Sequence, residues 1–246
     1  MSKILCCIPA RYGSTRLYGK PLLKIGDKTI INLVYIQAQK TKVDEIVVLT
    51  DDTKIYDEVN KFGGKCVIIT EYCLNGTDRI IKYLNSINIL EYKCVVNLQG
   101  DEPFINPDQV NLAIDNFING NYQCSTICFK TKNSEEILSK SRGKAVLDKN
   151  NNIIYCSRNV IPTCKTNNVI KDYEYTIHVG VFVFDINYLL NYYAKENTNL
   201  QLQEDIEWLK IIEQGFKINT ILVDHVERGV DTVEDYNYLL SINCDK

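Results

Sequence analysis

A loop rich in cations is the first feature of the sequence with chemical potential. Arg11, Arg16 and Lys20 lie within ten residues, directly after a short apolar run that ends at Pro9. The glycines and the serine between them let a ligand approach the backbone and offer amide donors, while three cations can neutralise a polyphosphate. The loop therefore predicts an anion-binding site, and a solvated basic surface loop is the alternative.

Two loop acids complement these cations. Asp101 and Glu102 follow an apolar run and precede Pro103, and Asp231 precedes the last helical pattern of the chain. Carboxylates in such positions can hold Mg²⁺ against phosphate, so acids and cations together suit nucleotidyl transfer. For Asp231, helix N-capping is an equally good interpretation, and Thr232 could fill that role instead.

Composition excludes several other kinds of chemistry. The 28 Lys and Arg against 31 Asp and Glu leave a formal charge of −3, which provides no overall basic field for nucleic acid. With only His178 and His225, a multi-histidine metal cage is excluded. The loop matches neither G-x-G-x-x-G nor G-x-x-x-x-G-K-[ST], which argues against dinucleotide dehydrogenases and P-loop ATPases. The ten cysteines form no C-x-x-C pair and several lie in apolar runs, which favours buried, reduced thiols.

The elements that would position these residues alternate along the first half of the chain. Short apolar strands alternate with helical patterns, which predicts a Rossmann-like α/β fold with a mostly parallel sheet and helices on both faces. Ligands in such sheets bind at the carboxyl ends of the strands. The cation-rich loop, residues 10–21 and here called the basic loop, lies at such an end, as do the segments 50–52 and 99–103. The predicted strands are 4–8, 45–49, 66–69 and 94–98, and the predicted helices are 29–39, 53–62 and 77–84.

The pattern changes to longer extended segments from about Tyr122. The runs 144–147 and 153–156 flank a turn-like Asp148–Asn152 stretch and predict a hairpin within a β-rich insertion, residues 121–214. A long strand is predicted at 173–184, a continuous helix at 200–213, a strand at 217–223 and a last helix at 232–242. The whole chain, 1–246, is thus predicted to form a single domain that contains this insertion.

Six segments in this order resemble the 3-deoxy-manno-octulosonate (Kdo) cytidylyltransferases, enzymes with a nucleotide-diphospho-sugar transferase type of fold. The segments are I-P-A-R-Y-G-S-T-R-L-Y-G-K-P-L at 8–22, N-G-T-D-R-I at 75–80, V-N-L-Q-G-D-E-P at 96–103, A-V-L-D at 145–148 with Y-C-S-R-N-V-I-P at 155–162, H-V-G at 178–180 and G-V-D-T-V-E-D at 229–235. The resemblance implies attack of the sugar's anomeric hydroxyl on the α-phosphate of CTP, with release of pyrophosphate.

The resemblance also implies roles for individual residues. Lys20, Arg16 and Asp101 would be catalytic, and Asp101 with Asp231 would bind Mg²⁺. The nucleotide would be bound by Ala10, Arg11, Gly13, Ser14, Thr15, Arg16, Lys20, Thr77, Arg79 and Asp101. The sugar would be bound by Gln99, Arg158, His178, Phe182, Glu207 and Trp208, with the Arg158 guanidinium suited to its carboxylate. By themselves, His178 also suits a core position and Glu207 a solvated helix face.

Departures from the family's pattern fall near the expected sugar site. Phe182 and Phe184 stand where the family usually has tyrosines, and the chain's only tryptophan, Trp208, follows Glu207. Because a lost hydroxyl discriminates strongly between polar ligands, a cytidylyltransferase for sialate or another acidic sugar is the alternative. A non-catalytic nucleotide-binding paralogue is an alternative from another class.

The remaining expectations concern partners and location. No segment approaches the roughly 20 apolar residues of a membrane span, and no secretory-type leader is evident, so the protein is predicted to be cytoplasmic. No nucleic acid or membrane partner is expected, and the family resemblance implies a homodimer.

Overall fold

The computed structural model describes residues 2–13, 16–166 and 169–243. The strands are β1 (Lys3–Ala10), β2 (Lys24–Ile25), β3 (Lys28–Thr29), β4 (Glu45–Thr50), β5 (Cys66–Ile68), β6 (Tyr92–Leu98), β7 (Cys124–Thr131), β8 (Lys144–Leu147), β9 (Ile153–Ser157), β10 (Tyr175–Phe184) and β11 (Ile218–Val223). The helices are α1 (Ile30–Gln39), α2 (Thr53–Lys61), α3 (Gly76–Leu84), α4 (Pro107–Asn119), α5 (Ser134–Leu138), α6 (Ile186–Tyr188), α7 (Asn199–Glu204), α8 (Leu209–Glu213) and α9 (Val233–Asn243). The chain divides into two compact units, Met1–Asn111 with Glu227–Lys246, and Leu112–Val226.

The first unit is built on parallel strands in the order β6-β1-β4-β5. The side chains of β1 are buried from Ile4 to Ile8, which explains its unbroken apolar sequence. The carboxyl ends of the strands lead into the basic loop, the 51–52 segment and the 99–103 segment. The predicted α/β class with a parallel sheet is confirmed.

Side chains at the helix starts explain where the helices of this unit begin. Thr29 caps α1, Asp52 caps α2 by accepting from the Lys54 amide at 2.7 Å, and Asn75 caps α3 by accepting from the Asp78 amide at 2.9 Å. The N-G-T-D-R segment is therefore a capped helix start, and this cap fixes Thr77 and Arg79 in the first turn of α3.

The second unit contains the predicted β-rich segment, residues 121–214. In this unit β7 pairs parallel with β11 and antiparallel with β10, β10 pairs with β8, and β8 pairs with β9. The β8–β9 hairpin is confirmed, and its turn is held by Asp148, whose Oδ1 accepts from the Asn150 and Asn152 amides at 2.8 Å.

The helix expected at 200–213 is wrong as a continuous element. It consists of α7 and α8, separated at Asp205, which has a left-handed backbone with φ of 51°. Arg158 takes the carbonyls of Glu204 and Asp205 as acceptors, so hydrogen bonds from outside the helix replace those that a continuous helix would make. Residues 107–119, to which the sequence pattern assigned no element, form α4.

The cysteines of the described residues agree with the expectation of reduced thiols. Nine cysteines are free, and Cys6, Cys7, Cys94, Cys124, Cys128 and Cys156 are buried. Across residues 2–13, 16–166 and 169–243, no helix combines the length and the apolar character that crossing a membrane requires.

Candidate active site

The basic loop lies between β1 and a short turn of 3₁₀ helix, Lys20–Leu22. Gly19 adopts φ of 67°, a left-handed conformation that favours glycine, and its amide bonds to the Tyr12 carbonyl at 3.0 Å. This contact closes the loop and sets the direction of Lys20. Arg11 and Gly13 are exposed and Ala10 is buried at the end of β1, whereas Ser14 and Thr15 lie outside the described residues.

Lys20 is the most buried cation of the loop, with 12% of its side chain exposed. Its Nζ lies 2.7 Å from Oδ2 of Asp101, 2.7 Å from the Val230 carbonyl oxygen and 3.9 Å from Oδ1 of Asp231. Arg16 approaches the same Asp231 oxygen at 3.4 Å. The structure therefore brings together the three residues predicted to be catalytic, Lys20, Arg16 and Asp101, with the second predicted metal ligand.

The backbone around Asp101 is held by two close approaches. Its carbonyl accepts from the Val230 amide at 2.8 Å, which joins the β6 end to the segment before α9. A Cβ on the preceding residue, Gly100, would lie 2.8 Å from the Pro9 carbonyl oxygen. Only glycine allows β1 and the residues after β6 to approach so closely, and this approach places Asp101 beside Lys20.

Asp231 is not the cap of α9. That role belongs to Thr232 and Asp235: Thr232 Oγ1 accepts from the Asp235 amide at 3.2 Å, and Asp235 Oδ2 accepts from the Thr232 amide at 2.9 Å. Burial, followed by the neighbouring Asp101 carboxylate, raises the pKa of Asp231 against the opposing effect of Lys20 and Arg16. Ionisation of the Asp231 carboxyl is therefore disfavoured in the folded protein despite two nearby cations.

Arg79 links the basic loop to β4. Its Nη2 donates to Oδ2 of Asp51 at 2.8 Å, and Oδ1 of Asp51 accepts from the Tyr12 amide at 3.4 Å. The other terminal nitrogen, Nη1, is buried and has no hydrogen-bond partner in the described part of the chain. Thr77 is fully buried, and its Oγ1 accepts from Nδ2 of Asn97 at 3.2 Å. Both residues predicted to bind nucleotide on α3 thus lie at the carboxyl ends of β4 and β6.

Arg158, in the second unit, is saturated by main-chain acceptors. Its Nη1 donates to the Lys140 and Ser141 carbonyls at 3.2 Å, its Nη2 to the Asp205 carbonyl at 2.7 Å, and its Nε to the Glu204 carbonyl at 3.2 Å. The guanidinium therefore clamps two loops together. A sugar carboxylate would have to displace some of these bonds, so direct sugar contact by Arg158 stays a prediction that this geometry argues against.

His178 lies in a group of three aromatic rings. Its ring centroid is 4.8 Å from that of Phe182 and 4.8 Å from that of Trp208. Burial, followed by the nearby Arg158 guanidinium, lowers the pKa of His178 to about 3, so its imidazole is neutral near pH 7. Its Nε2 is buried and has no hydrogen-bond partner among the described residues.

The other residues predicted to bind sugar have different surroundings. Phe182 is 0% exposed and Trp208 is 3% exposed, so neither ring offers appreciable surface to a ligand. Direct contact of these two rings with a sugar stays a prediction that their burial argues against. Glu207 is half-buried in the segment between α7 and α8, and Gln99 is half-buried after β6 in the first unit.

Three residues that the sequence did not single out help to build these sites. Asp51 accepts from both Arg79 and the Tyr12 amide of the basic loop. Its position just after a predicted strand was the feature of the sequence that could have indicated this role. Lys144 is fully buried and donates to the carbonyls of Ser139, Arg142 and Arg158 at 2.5–2.7 Å, while burial lowers its pKa to about 8. Glu204 accepts from the Ser157 hydroxyl at 2.8 Å. Nothing local in the sequence marks the last two.

The described residues contain no group of three or more His, Cys, Asp or Glu side chains arranged to hold a metal ion. The candidate metal site is therefore the carboxylate pair Asp101 and Asp231, with the Lys20 ammonium between them. Oxygen donors of this kind suit Mg²⁺, which usually takes only one or two carboxylates from a protein and completes its shell with phosphate and water.

Comparison with known proteins gives a consistent result. The family model described as cytidylyltransferase matches residues 5–218. The 3-deoxy-manno-octulosonate cytidylyltransferase of Protochlamydia amoebophila is 39% identical over 95% of this chain and 91% of its own. That of Fusobacterium nucleatum is 38% identical over 97% of this chain and 96% of its own.

A solved structure has the same fold along its full length. It is a CMP:2-keto-3-deoxy-manno-octonic acid synthetase complexed with CTP, 31% identical, with a TM-score of 0.88 and 99% of each chain covered. The mixed α/β fold with its mostly parallel sheet agrees with this match. This chain belongs to the cytidylyltransferase family, in its 3-deoxy-manno-octulosonate cytidylyltransferase branch.

Proposed function

We propose that this protein transfers CMP from CTP to the anomeric hydroxyl of 3-deoxy-manno-octulosonate and releases pyrophosphate. The observation that carries the proposal is the contact of Lys20 with Asp101 at 2.7 Å, beside Arg16 and Asp231. It brings cations for a triphosphate and acids for a metal into one place. The names of the relatives supply the identity of the sugar and of the nucleotide.

The reaction needs positioning and charge neutralisation more than a protein nucleophile. A bond forms between the anomeric oxygen and the α-phosphorus, and the bond from that phosphorus to the bridging oxygen of the β-phosphate breaks. Lys20 and Arg16 would hold the phosphates and reduce the charge that develops on them. Arg79, whose Nη1 is buried without a hydrogen-bond partner among the described residues, would donate to the nucleotide.

Magnesium belongs to this proposal as the cofactor. Asp101 and Asp231 would hold the ion, and the pKa of Asp231, raised by burial and then by the Asp101 carboxylate, fits this role because a divalent cation would stabilise the charged form of both acids. When bound, the ion would neutralise phosphate charge during transfer. The protein's own contribution is to keep both acids beside Lys20, through the Val230–Asp101 bond and the close approach at Gly100.

The second unit would bind the acidic sugar through His178 and Glu207, and the family resemblance also assigns Gln99 and Arg158 to the sugar. A second candidate function is that of a cytidylyltransferase for sialate or another acidic sugar. Phe182 and Trp208 favour it, because the family usually has a tyrosine at the position of Phe182 and Trp208 follows the predicted sugar residue Glu207. The homodimer and the cytoplasmic location stay predictions from the family resemblance and the sequence.

The deciding experiment supplies purified protein with Mg²⁺, CTP or UTP, and a panel that contains Kdo, sialate and related acidic sugars. Pyrophosphate release with a CMP-Kdo mass is the expected result. Asp101→Ala should reduce turnover by about a hundredfold or more, whereas Asp108→Ala, an exposed acid on α4, should not. CTP binding with no turnover of any sugar would instead favour the non-catalytic paralogue, and CMP-sialate as the main product would favour the second candidate.

A further inference from the structure

The three rings of His178, Phe182 and Trp208 are in mutual contact. The His178 and Phe182 rings are nearly parallel, with an interplanar angle of 25°, and the Trp208 ring lies against both, at 4.8 Å from His178 and 5.9 Å from Phe182. The imidazole thus has an aromatic ring on each of two sides. Such packing restricts the rotation of the imidazole about its side-chain bonds.

Within this group only the histidine presents an unsatisfied polar atom. Its Nε2 is buried without a partner in the described part of the chain, and a buried polar nitrogen of this kind costs free energy until a ligand or water bonds to it. Phe182 and Trp208 are carbon-rich and almost fully buried. The rings therefore differ in role, because one offers a hydrogen bond and two hold it in place.

The position of Trp208 is set by contacts outside its own helix. It precedes α8, just beyond the break at Asp205 that Arg158 maintains through the Glu204 and Asp205 carbonyls. Gly143 also lies close to the indole: a Cβ added to this glycine would be 3.8 Å from Cζ2 of Trp208 and 3.0 Å from Sγ of Cys156. The indole is thus enclosed by several elements, which makes it a rigid support.

We propose that Trp208 is a positioning residue for the acidic sugar, acting through His178. Its indole, with Phe182, holds the neutral imidazole so that Nε2 is available to one sugar hydroxyl, and neither support touches the sugar. This inference rests on the proposed function. It also accounts for the apolar ring at 182, since that ring packs against His178 and Trp208 and no hydroxyl is needed there.

The test compares Trp208→Leu, which removes the indole, with Trp208→Phe, which keeps an aromatic face. Trp208→Leu should raise KM for the sugar about tenfold and leave KM for CTP within about twofold, and Trp208→Phe should recover most of the loss. The matched control is Tyr192→Leu, which removes a ring from a different aromatic group, Tyr188, Tyr192 and Phe216. It should change neither constant.

Equal increases in both KM values, or a Phe variant no better than Leu, would overturn the proposal. If the Leu variant does not fold, ¹⁵N spectra of the histidine rings in the wild type decide: the sugar should shift the Nε2 signal of His178, and an unchanged signal overturns the proposal. His225→Gln assigns the two histidines. A wild type that turns over no acidic sugar would instead remove the proposed function, so the two failures are distinguishable.

Discussion

The Nζ of Lys20 lies 2.7 Å from Oδ2 of Asp101, although 81 positions separate the two residues in the chain. The same ammonium is 3.9 Å from Asp231, so one cation neutralises part of the charge of both acids. A metal ion that binds these carboxylates would have to compete with this ammonium or share them with it.

Lys20→Met should therefore separate catalysis from metal binding. Loss of the ammonium removes a phosphate contact, and we expect turnover to fall by about a hundredfold or more. In nucleotide-free protein the two carboxylates lose their competitor, so calorimetric titration should show tighter Mg²⁺ or Mn²⁺ binding. Lys28→Met, which removes an exposed lysine paired with Asp27, is the control for both measurements. Unchanged or weaker metal binding would contradict the assignment of the acids.

Asp231→Asn should make the protein more stable and less active. The pKa of Asp231 is higher in the folded than in the unfolded protein. Protonation of this carboxyl therefore stabilises the fold at pH values below the unfolded-state pKa, and this contribution is lost as the pH rises through the folded-state pKa. The asparagine amide does not ionise, so the variant does not lose stability in this pH range. Thermal unfolding should thus show a Tm a few degrees above wild type near pH 7, with the difference vanishing towards pH 4. A lower Tm at pH 7 would mean that the attraction of Lys20 and Arg16 outweighs burial and repulsion.

Gly100→Ala should destabilise the first unit. Its Cβ would lie 2.8 Å from the Pro9 carbonyl oxygen, which is main chain and cannot rotate away. We expect a loss of about 1–3 kcal/mol in the free energy of unfolding, measured with urea. Gly13→Ala is the matched control for stability, because a Cβ there meets nothing within 4 Å. Equal stabilities for the two variants would contradict the close approach of β1 to the residues after β6.

Arg158→Lys should loosen the break between α7 and α8. An ammonium has three N–H donors and so cannot keep all four carbonyl bonds that the guanidinium makes, and we expect a loss of about 1–3 kcal/mol in the free energy of unfolding. Arg142→Lys is the control, since among the described residues the Arg142 side chain donates only to Glu136, at 3.4 Å. A normal stability combined with a raised KM for the sugar would instead indicate that Arg158 contacts the sugar carboxylate directly.

Several features were accessible from the sequence because their causes are local. The apolar run of β1, the start of α3 and the turn at Asp148 each depend on residues a few positions apart, and their positions were predicted closely. The basic loop and the two acids were identified in the same way, as residue types that follow strands. The family resemblance then supplied their order and the reaction.

The helix break at Asp205 shows where local reasoning fails. Residues 200–213 have a helical pattern, but Arg158, 47 positions away, binds the carbonyls at the break. Likewise, whether Asp231 or Thr232 caps α9 was open from the sequence, and only the contacts of Asp235 with Thr232 decided it.

By itself the sequence determined the α/β class, the location of the cations and acids, and the family, since each depends on local pattern or motif order. Tertiary structure alone decided that Lys20 lies between Asp101 and Asp231, that Asp51 holds Arg79, and that Trp208 supports His178 from a buried position. These relationships join residues between 28 and 211 positions apart. The free energy that fixes them comes from packing and hydrogen bonds formed only when the strands and loops assemble.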